Sequence, residues 1–438
     1  MQSLQDLDLN YTWHPCSQMK DYKSFKPLVI KGAKGAYIEL KNGQKLIDAI
    51  SSWWCKSLGH NHPALKKALI EQLEKFEHVI FANTTHEVIA SLSQDLANLI
   101  KGLTKVFYTG DGSCAVEVAL KMSLHSRKIK KHQRRTKFLS LKNGYHGETV
   151  GALSVSDLGL YKKPYEDLLF ESYFIEPLYV SGRFDENWQN ANSHWQKVLP
   201  LLEKHKNTLT AIIVEPLIQG AGGMKIYSKD FLSKLFSFAK DYNIHIIADE
   251  IMTGLARTGK MVACEYIEQK PDFVCLSKGL TSGFMPFSCV LTTQEIYDTF
   301  YGDFSSNKAF LHSHTHSGNA LGASVAKVTL EVIKQENLCA RALELERIMT
   351  NYMKDIQEQT GLLKNIRSLG AVVAADLVNS RNSPRLGYKV FQKALDLGAF
   401  LRPLGDTIYW LPPLTIPYDT LTDLKEITRE SIIRSNSF

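Results

Sequence analysis

Ile244-His-Ile-Ile-Ala-Asp249, followed downstream by Asp272-Phe-Val-Cys-Leu-Ser-Lys278, is the stretch that decides the fold. Ile244 to Asp249 is a short apolar run that ends in a carboxylate, and Phe273 to Leu276 is a second that runs into Ser277 and Lys278. Runs of this length, bounded by polar residues, read as buried strands. In open α/β sheets the chemistry gathers at the carboxyl ends of the strands, so Asp249 and Lys278 become candidate functional residues. Working outward, strand-like runs at Lys105 to Thr109, Lys137 to Leu141 and Thr210 to Val214 alternate with helical patterns at Ser113 to Lys128 and Lys229 to Tyr242. That alternation predicts an α/β fold, with a mainly parallel central sheet covered by helices, in a large domain over residues 60–320.

The remainder reads as a smaller α+β domain drawn from both ends of the chain. Leu321 to Met353 predicts one or two long helices, Ile366 to Asp376 a strand, Leu386 to Leu397 a helix, and Leu421 to Ile433 a last helix. Phe400 to Pro403 and Ile408 to Leu411 predict a strand pair. Residues 1–59 carry short strands at Ala36 to Leu40 and Lys45 to Ile47 about an Asn42-Gly43 turn and are expected to pack with residues 321–438.

With 438 residues, 44% of them hydrophobic, the chain can bury a large core, which excludes a disordered or fibrous protein. The net charge of +7 is dispersed except for Arg127-Lys-Ile-Lys-Lys-His-Gln-Arg-Arg-Thr-Lys137. No aromatic residues interleave that run, so it reads as a solvated helix end and loop, with no nucleic acid as partner. Seven cysteines without CxxC spacing suit free thiols of a reducing compartment. No signal peptide and no apolar stretch of about 20 residues is visible, so the expectation is a cytoplasmic protein with no membrane contact. His312-Ser-His-Thr-His316 has no cysteine or carboxylate beside it, and no metal is expected there.

A lysine held at a strand end near an aspartate fits pyridoxal 5'-phosphate: the lysine forms the Schiff base and the carboxylate pairs with the pyridinium nitrogen. Taken alone, either residue is more often a solvated loop residue. Two further clusters raise the case. Thr109-Gly-Asp-Gly-Ser-Cys-Ala115 joins a strand to a helix, where backbone N–H groups and the helix start suit a phosphate. Asn143-Gly-Tyr-His-Gly-Glu-Thr149 offers Tyr145, whose ring can stack on a planar face.

Gly112-Ser113, Gly144-Tyr-His-Gly147, Val214-Glu-Pro216 with Gln219-Gly-Ala-Gly-Gly223, Ala248-Asp-Glu-Ile251 with Thr253-Gly-Leu-Ala-Arg-Thr-Gly259, and Ser277-Lys278 together resemble the class III aminotransferases of the type I pyridoxal phosphate-dependent transferase fold. The similarity spans nearly the whole chain. It implies that Lys278 holds the cofactor and moves the proton, and that Asp249 keeps the ring nitrogen protonated. It also implies that Glu215 supports Asp249 and that Tyr145 stacks on the ring, with His146 beside it in the cofactor site. Gly112 and Ser113 would bind the phosphate, joined by Thr315 from the partner subunit of a homodimer. Trp13-His-Pro15, Ser51-Ser-Trp-Trp54, Gly59-His-Asn-His-Pro63, His312 with Thr315, and Leu401-Arg-Pro403 narrow the resemblance to members acting in biotin biosynthesis. Those aminate 8-amino-7-oxononanoate, usually from S-adenosylmethionine and in some cases from lysine. That implies Trp53 and Trp54 as the apolar wall, Arg402 for the distant carboxylate, and Arg257 for the donor or for order in the site.

The sequence departs from the family in three places. Cys16 stands where an aromatic is usual at the donor and substrate site, Glu148 replaces an aspartate, and His314 replaces a proline before Thr315. The first leaves the donor open. Besides the biotin-pathway reaction, the residues allow a class III transaminase for ω-amines or acetylornithine, and a non-catalytic protein that binds pyridoxal phosphate; the presence of Lys278, Asp249 and Tyr145 speaks against the last.

Overall fold

The computed structural model describes residues 3–379 and 382–436. Its centre is a seven-stranded sheet in the order Leu103–Thr109, Ser288–Thr293, Phe273–Leu276, His245–Asp249, Leu209–Val214, Lys137–Leu141, Tyr173–Ile175. Neighbours are parallel throughout, except that Ser288–Thr293 runs antiparallel to both strands beside it. The α/β class predicted from the sequence is the observed one. Successive side chains of a strand point to opposite faces, and the core divides accordingly. Ile246 and Ala248 pack into the cluster that holds Phe231, Leu232 and Leu235 of the Lys229–Asp241 helix. Ile247 and Phe273 pack into the cluster that holds Ala115, Val116 and Ala119 of the Gly112–Ile129 helix. Helices therefore cover both faces, which is why the two deciding runs are apolar without alternation.

A four-stranded sheet joins the two ends of the chain: Ile30–Lys34, Tyr37–Leu40, Lys45–Asp48 and Ala399–Phe400, the last parallel to Lys45–Asp48. A three-stranded sheet follows, Leu363–Ser368, Val373–Leu377 and Thr407–Trp410. The segment read as one strand over Ile366 to Asp376 is thus an antiparallel hairpin. Its turn passes through Gly370 at φ +58, where an added Cβ would lie 2.3 Å from the Arg257 carbonyl oxygen, so only glycine fits. The expected pairing of Phe400 to Pro403 with Ile408 to Leu411 also gives way. Ala399–Phe400 pairs with Lys45–Asp48, and Thr407–Trp410 pairs with Val373–Leu377; a single bridge, Leu404 to Thr407, links the two segments. The hairpin escaped notice because Leu369, Ala371 and Val372 in its turn are as apolar and buried as the strands, and the pairing was misread because strand partners far apart in sequence leave no local trace.

The stretch from Leu321 forms two helices, Ala320–Gln335 and Leu338–Thr360, broken at Asn337 in the left-handed region. The basic run is less solvated than its composition suggests. Arg127 is buried and donates to Asn243 Oδ1 and O, while Arg135 donates to the carbonyls of Lys206, Leu209 and Tyr242. Their guanidinium groups tie together the amino ends of the sheet. Among the described residues all seven cysteines are free and no helix is long and apolar enough to cross a membrane.

Candidate active site

Parallel strands place their carboxyl ends on one edge, and the chemistry-bearing residues follow directly. Asp249 ends its strand, Lys278 lies two residues beyond Phe273–Leu276, Glu215 follows Leu209–Val214, and Tyr145 and His146 follow Lys137–Leu141. Gly112 and Ser113 open the helix after Leu103–Thr109, whose N-cap Asp111 accepts from Cys114 N at 3.0 Å. A cavity of about 300 Å³ opens here. It is lined by Gly112, Ser113, Tyr145, His146, Glu215, Asp249, Lys278 and Trp54, all singled out from the sequence.

The polar groups around it hold one another in place. His146 Nδ1 lies 2.7 Å from Asp249 Oδ2, and His146 Nε2 lies 3.2 Å from Ser140 Oγ, so the imidazole fixes the aspartate's orientation. Ile251 N donates to Asp249 Oδ1 at 3.2 Å. Glu215 accepts from Tyr145 N and from Gly220 N, each at 2.8 Å, and so anchors the Tyr145 loop to the next strand. Burial, with the Asp249 charge adding to it and His146 opposing, pushes the Glu215 carboxyl up to about 7. Burial likewise pulls the Lys278 ammonium below the ordinary lysine range, against the opposing pull of Asp249, Glu215 and Cys55. Gly147 adopts φ +122, and a Cβ there would lie 2.3 Å from Ser113 Oγ; the glycine lets the Tyr145 loop close onto the helix start. Ser113 Oγ and Thr149 Oγ1 stand 2.7 Å apart across that contact.

A second group of residues comes from the four-stranded sheet. Ser51–Trp54 form a left-handed turn in which φ is 50, 55, 118 and 71 at Ser51, Ser52, Trp53 and Trp54. Left-handed backbone costs non-glycine residues about 1–2 kcal/mol each, so this turn is strained and must be held. It sets Trp54 4.9 Å from Lys278 Nζ and Trp53 4.6 Å from the Arg402 guanidinium carbon. Trp54 Nε1 donates to Tyr409 Oη at 2.9 Å. Arg402 donates to the Cys16 carbonyl at 2.9 Å, and Cys16 Sγ lies 3.7 Å from Tyr161 Oη, whose ring is 6.2 Å from that of Tyr145. The two groups meet at Trp54.

Five predicted residues stand outside this cavity: Cys16 and Arg402 line a separate one, Trp53 lines neither, and Arg257 and Thr315 lie elsewhere. Arg257 is buried, with Nη1 donating to the carbonyls of Pro412 at 2.7 Å and Ala371 at 3.3 Å, and Nη2 without a partner among the described residues. Burial lowers its pKa to about 9. Thr315 does not line the cavity of its own chain; its carbonyl accepts from His78 Nε2 at 2.8 Å. Ile251 and Met252 line the cavity without having been given a role from the sequence, as does Glu148, which accepts from Tyr145 Oη at 3.1 Å. Their only sequence signal was adjacency to Asp249 and to Tyr145. Among the described residues no three His, Cys, Asp or Glu cluster as metal ligands.

The aminotransferase class-III family profile matches residues 18–432. The chain belongs to the class-III aminotransferases. It is 44% identical over 95% of both chains to adenosylmethionine-8-amino-7-oxononanoate aminotransferase of Helicobacter pylori. The enzyme of the same name from Aquifex aeolicus is 37% identical, with 96% of this chain and 94% of that one covered. Among solved structures, adenosylmethionine-8-amino-7-oxononanoate aminotransferase from Methanocaldococcus jannaschii aligns over 99% of each chain, with a TM-score of 0.92 and 33% identity. An omega transaminase from Pseudomonas jessenii in complex with PMP aligns with a TM-score of 0.90 at 25% identity, over 99% of this chain and 98% of that one. Class-III aminotransferases depend on pyridoxal phosphate, and the cavity fits that group. It has a carboxylate at a strand end, a lysine within the same walls, an aromatic side and a helix start for an anion.

Proposed function

We propose that this aminotransferase converts 8-amino-7-oxononanoate to 7,8-diaminononanoate in biotin biosynthesis, in the cytoplasm, with S-adenosylmethionine as amino donor. One observation carries the reading: Lys278 and Arg402 each lie against one of two adjacent indoles, Trp54 and Trp53. An amine-transfer group and a carboxylate reader joined by an aromatic floor suit a long keto acid whose carboxylate lies far from its carbonyl.

Bound pyridoxal 5'-phosphate supplies an electron sink for the electrons released when the substrate C–H bond breaks. Lys278 would hold it. The same amine, once free and neutral, would take that proton from the substrate carbon, and burial favours the neutral form. Asp249, aligned by His146, would face the ring nitrogen and keep its proton in place. Tyr145 would lie against the ring, with its backbone fixed by Glu215. The N–H groups of Gly112 and Ser113 would take the phosphate, with Thr315 of the partner subunit completing that shell in a homodimer. Arg257 would steady the Trp54 side of the site from below or meet the donor through its free Nη2. In each half of the exchange Trp53, Trp54 and Arg402 would seat the keto acid or the donor while the bound group carries the amine between them. Cys16 and Tyr161 edge that route.

The test is a titration of the loaded enzyme followed by visible absorption. S-adenosylmethionine should bleach the band of the lysine-bound cofactor, and 8-amino-7-oxononanoate should restore it. Bleaching by lysine alone would reassign the donor. Bleaching by simple ω-amines, with recovery by 2-oxoglutarate and none by the nine-carbon acid, would overturn the substrate.

A further inference from the structure

The strained Ser51–Trp54 turn has no glycine in it, so something outside must keep it left-handed. Lys45–Asp48 and Ala399–Phe400 run side by side, with Asp48 opposite Phe400. Both strands end there: one enters the turn, and the other reaches Arg402 two residues later. Asp48 is fully buried, and its carboxylate turns back into the turn it precedes. Oδ1 accepts from Ser52 N at 2.9 Å and from Ile50 N at 3.3 Å. Oδ2 accepts from Ser52 Oγ at 2.9 Å and lies 2.7 Å from His60 Nε2. His60 is fixed in turn by paired backbone bonds with Gly35 at 2.8 and 2.9 Å. A buried carboxylate persists where hydrogen bonds use its lone pairs, and here two of the four contacts bind the turn itself and a third binds the residue that leads into it. Asp48 is therefore clamped between the N-terminal sheet and the backbone that carries both indoles.

We propose that Asp48, clasped by Ser52 and His60, is a positioning residue. It holds the Ser51–Trp54 turn left-handed and so fixes how Trp54 meets Lys278 and how Trp53 meets Arg402. It touches no reacting atom; it acts through the turn. Its kinetic consequence rests on the function proposed above, whereas its structural consequence does not.

Three variants test this: Asp48→Ala, His60→Ala, and Asp48→Ala combined with Ser52→Gly. Asp48→Ala should change the near-ultraviolet circular dichroism of the tryptophans in the cofactor-free chain while leaving the far-ultraviolet spectrum unchanged. In the loaded enzyme it should raise KM for the keto acid by about tenfold or more, the loss expected for several hydrogen bonds to a charge, with kcat changed far less. Ser52→Gly makes one left-handed position free of strain. In the Asp48→Ala background it should recover about fivefold of that KM, matching the relief of one strained residue. A residue that only stabilised the fold would not allow KM to recover in this way. His60→Ala should act in the same direction with about threefold effect, and it carries the test if Asp48→Ala does not fold. Unchanged tryptophan dichroism and unchanged KM in the folded variants would overturn the proposal. Altered dichroism in an enzyme whose wild type never turns over the nine-carbon acid would uphold the positioning role and sink the proposed substrate.

Discussion

The sheet end that carries Asp249 and Lys278 and the sheet end that carries Trp53 and Arg402 meet at Trp54, and they are built in opposite ways. The first sits on a seven-stranded, mainly parallel sheet with helices on both faces, and each functional residue lies within five residues of its own strand's end. The second rests on a two-residue parallel contact between Lys45–Asp48 and Ala399–Phe400, on a turn of unfavourable backbone, and on an arginine stacked over a half-exposed tryptophan. The rigid half suits bond making and breaking, where small displacements are costly. The lightly built half suits a surface that meets two different substrates in turn. The difference predicts that damage to the first should fall on kcat and damage to the second on KM.

Lys278→Ala strikes the first half hardest. Turnover should fall by about 10⁴-fold, the upper range for a lost proton-transfer group, while the far-ultraviolet spectrum and melting temperature stay near wild type. Wild-type turnover in that variant would end the mechanism. Asp249→Asn keeps the shape but removes the charge that His146 aligns; kcat should drop about 10²-fold, and a change confined to KM would blur the contrast between the halves. Arg402→Ala should raise KM for 8-amino-7-oxononanoate about 10- to 100-fold, as for a lost charge-assisted contact, and leave the donor's half-reaction close to normal. Unaltered saturation by the keto acid would remove Arg402 from the carboxylate role.

Acid-base behaviour gives the smallest effect. Glu215 has its carboxyl pushed up from 4.5 to about 7 in the folded chain. A group with a raised folded-state value contributes stability below its unfolded value and loses it as pH climbs to the folded one. The melting temperature should therefore slip by a few degrees between about pH 4.5 and 7 through this group. Glu215→Gln, which cannot titrate, should show a flatter profile over the same window. An identical slope in both proteins would place the titration elsewhere.

The two halves also differed in how plainly they could be read. Asp249, Lys278, Glu215 and Tyr145 each follow a short apolar run, and a parallel sheet brings such run ends to one edge whatever the intervening chain does. That made Asp249, Lys278 and Tyr145 candidates from local pattern, while the part of Glu215 came from the family resemblance. Trp53 and Arg402 lie at opposite ends of the chain, and nothing near either residue announces the strand contact that joins them. The same blindness to distant partners paired Phe400 with the wrong neighbour, whereas the Leu363–Leu377 hairpin read as one strand because its turn is itself apolar. Ser-Ser-Trp-Trp lacks the glycine that normally marks a left-handed turn, so its bend shows only in its contacts, those of Asp48 among them. Arg127 and Arg135 read as solvent-facing because their partners are carbonyls and an asparagine far along the chain.

The antiparallel strand Ser288–Thr293 has a consequence for how the protein comes into being. Thr109 opposes Ser288 in the sheet, and Ser288 Oγ donates to the Asp111 carbonyl at 2.6 Å, bracing the loop that leads to Gly112 and Ser113. The brace is encoded 177 residues after Asp111 (288 − 111). At about 5–20 residues per second, a ribosome needs roughly 10–35 s to supply it. Throughout that interval the nascent chain carries its anion cradle unfinished, with the edge of Leu103–Thr109 unpaired. The cofactor pocket is thus finished late, and a chain released before residue 288 would lack that brace.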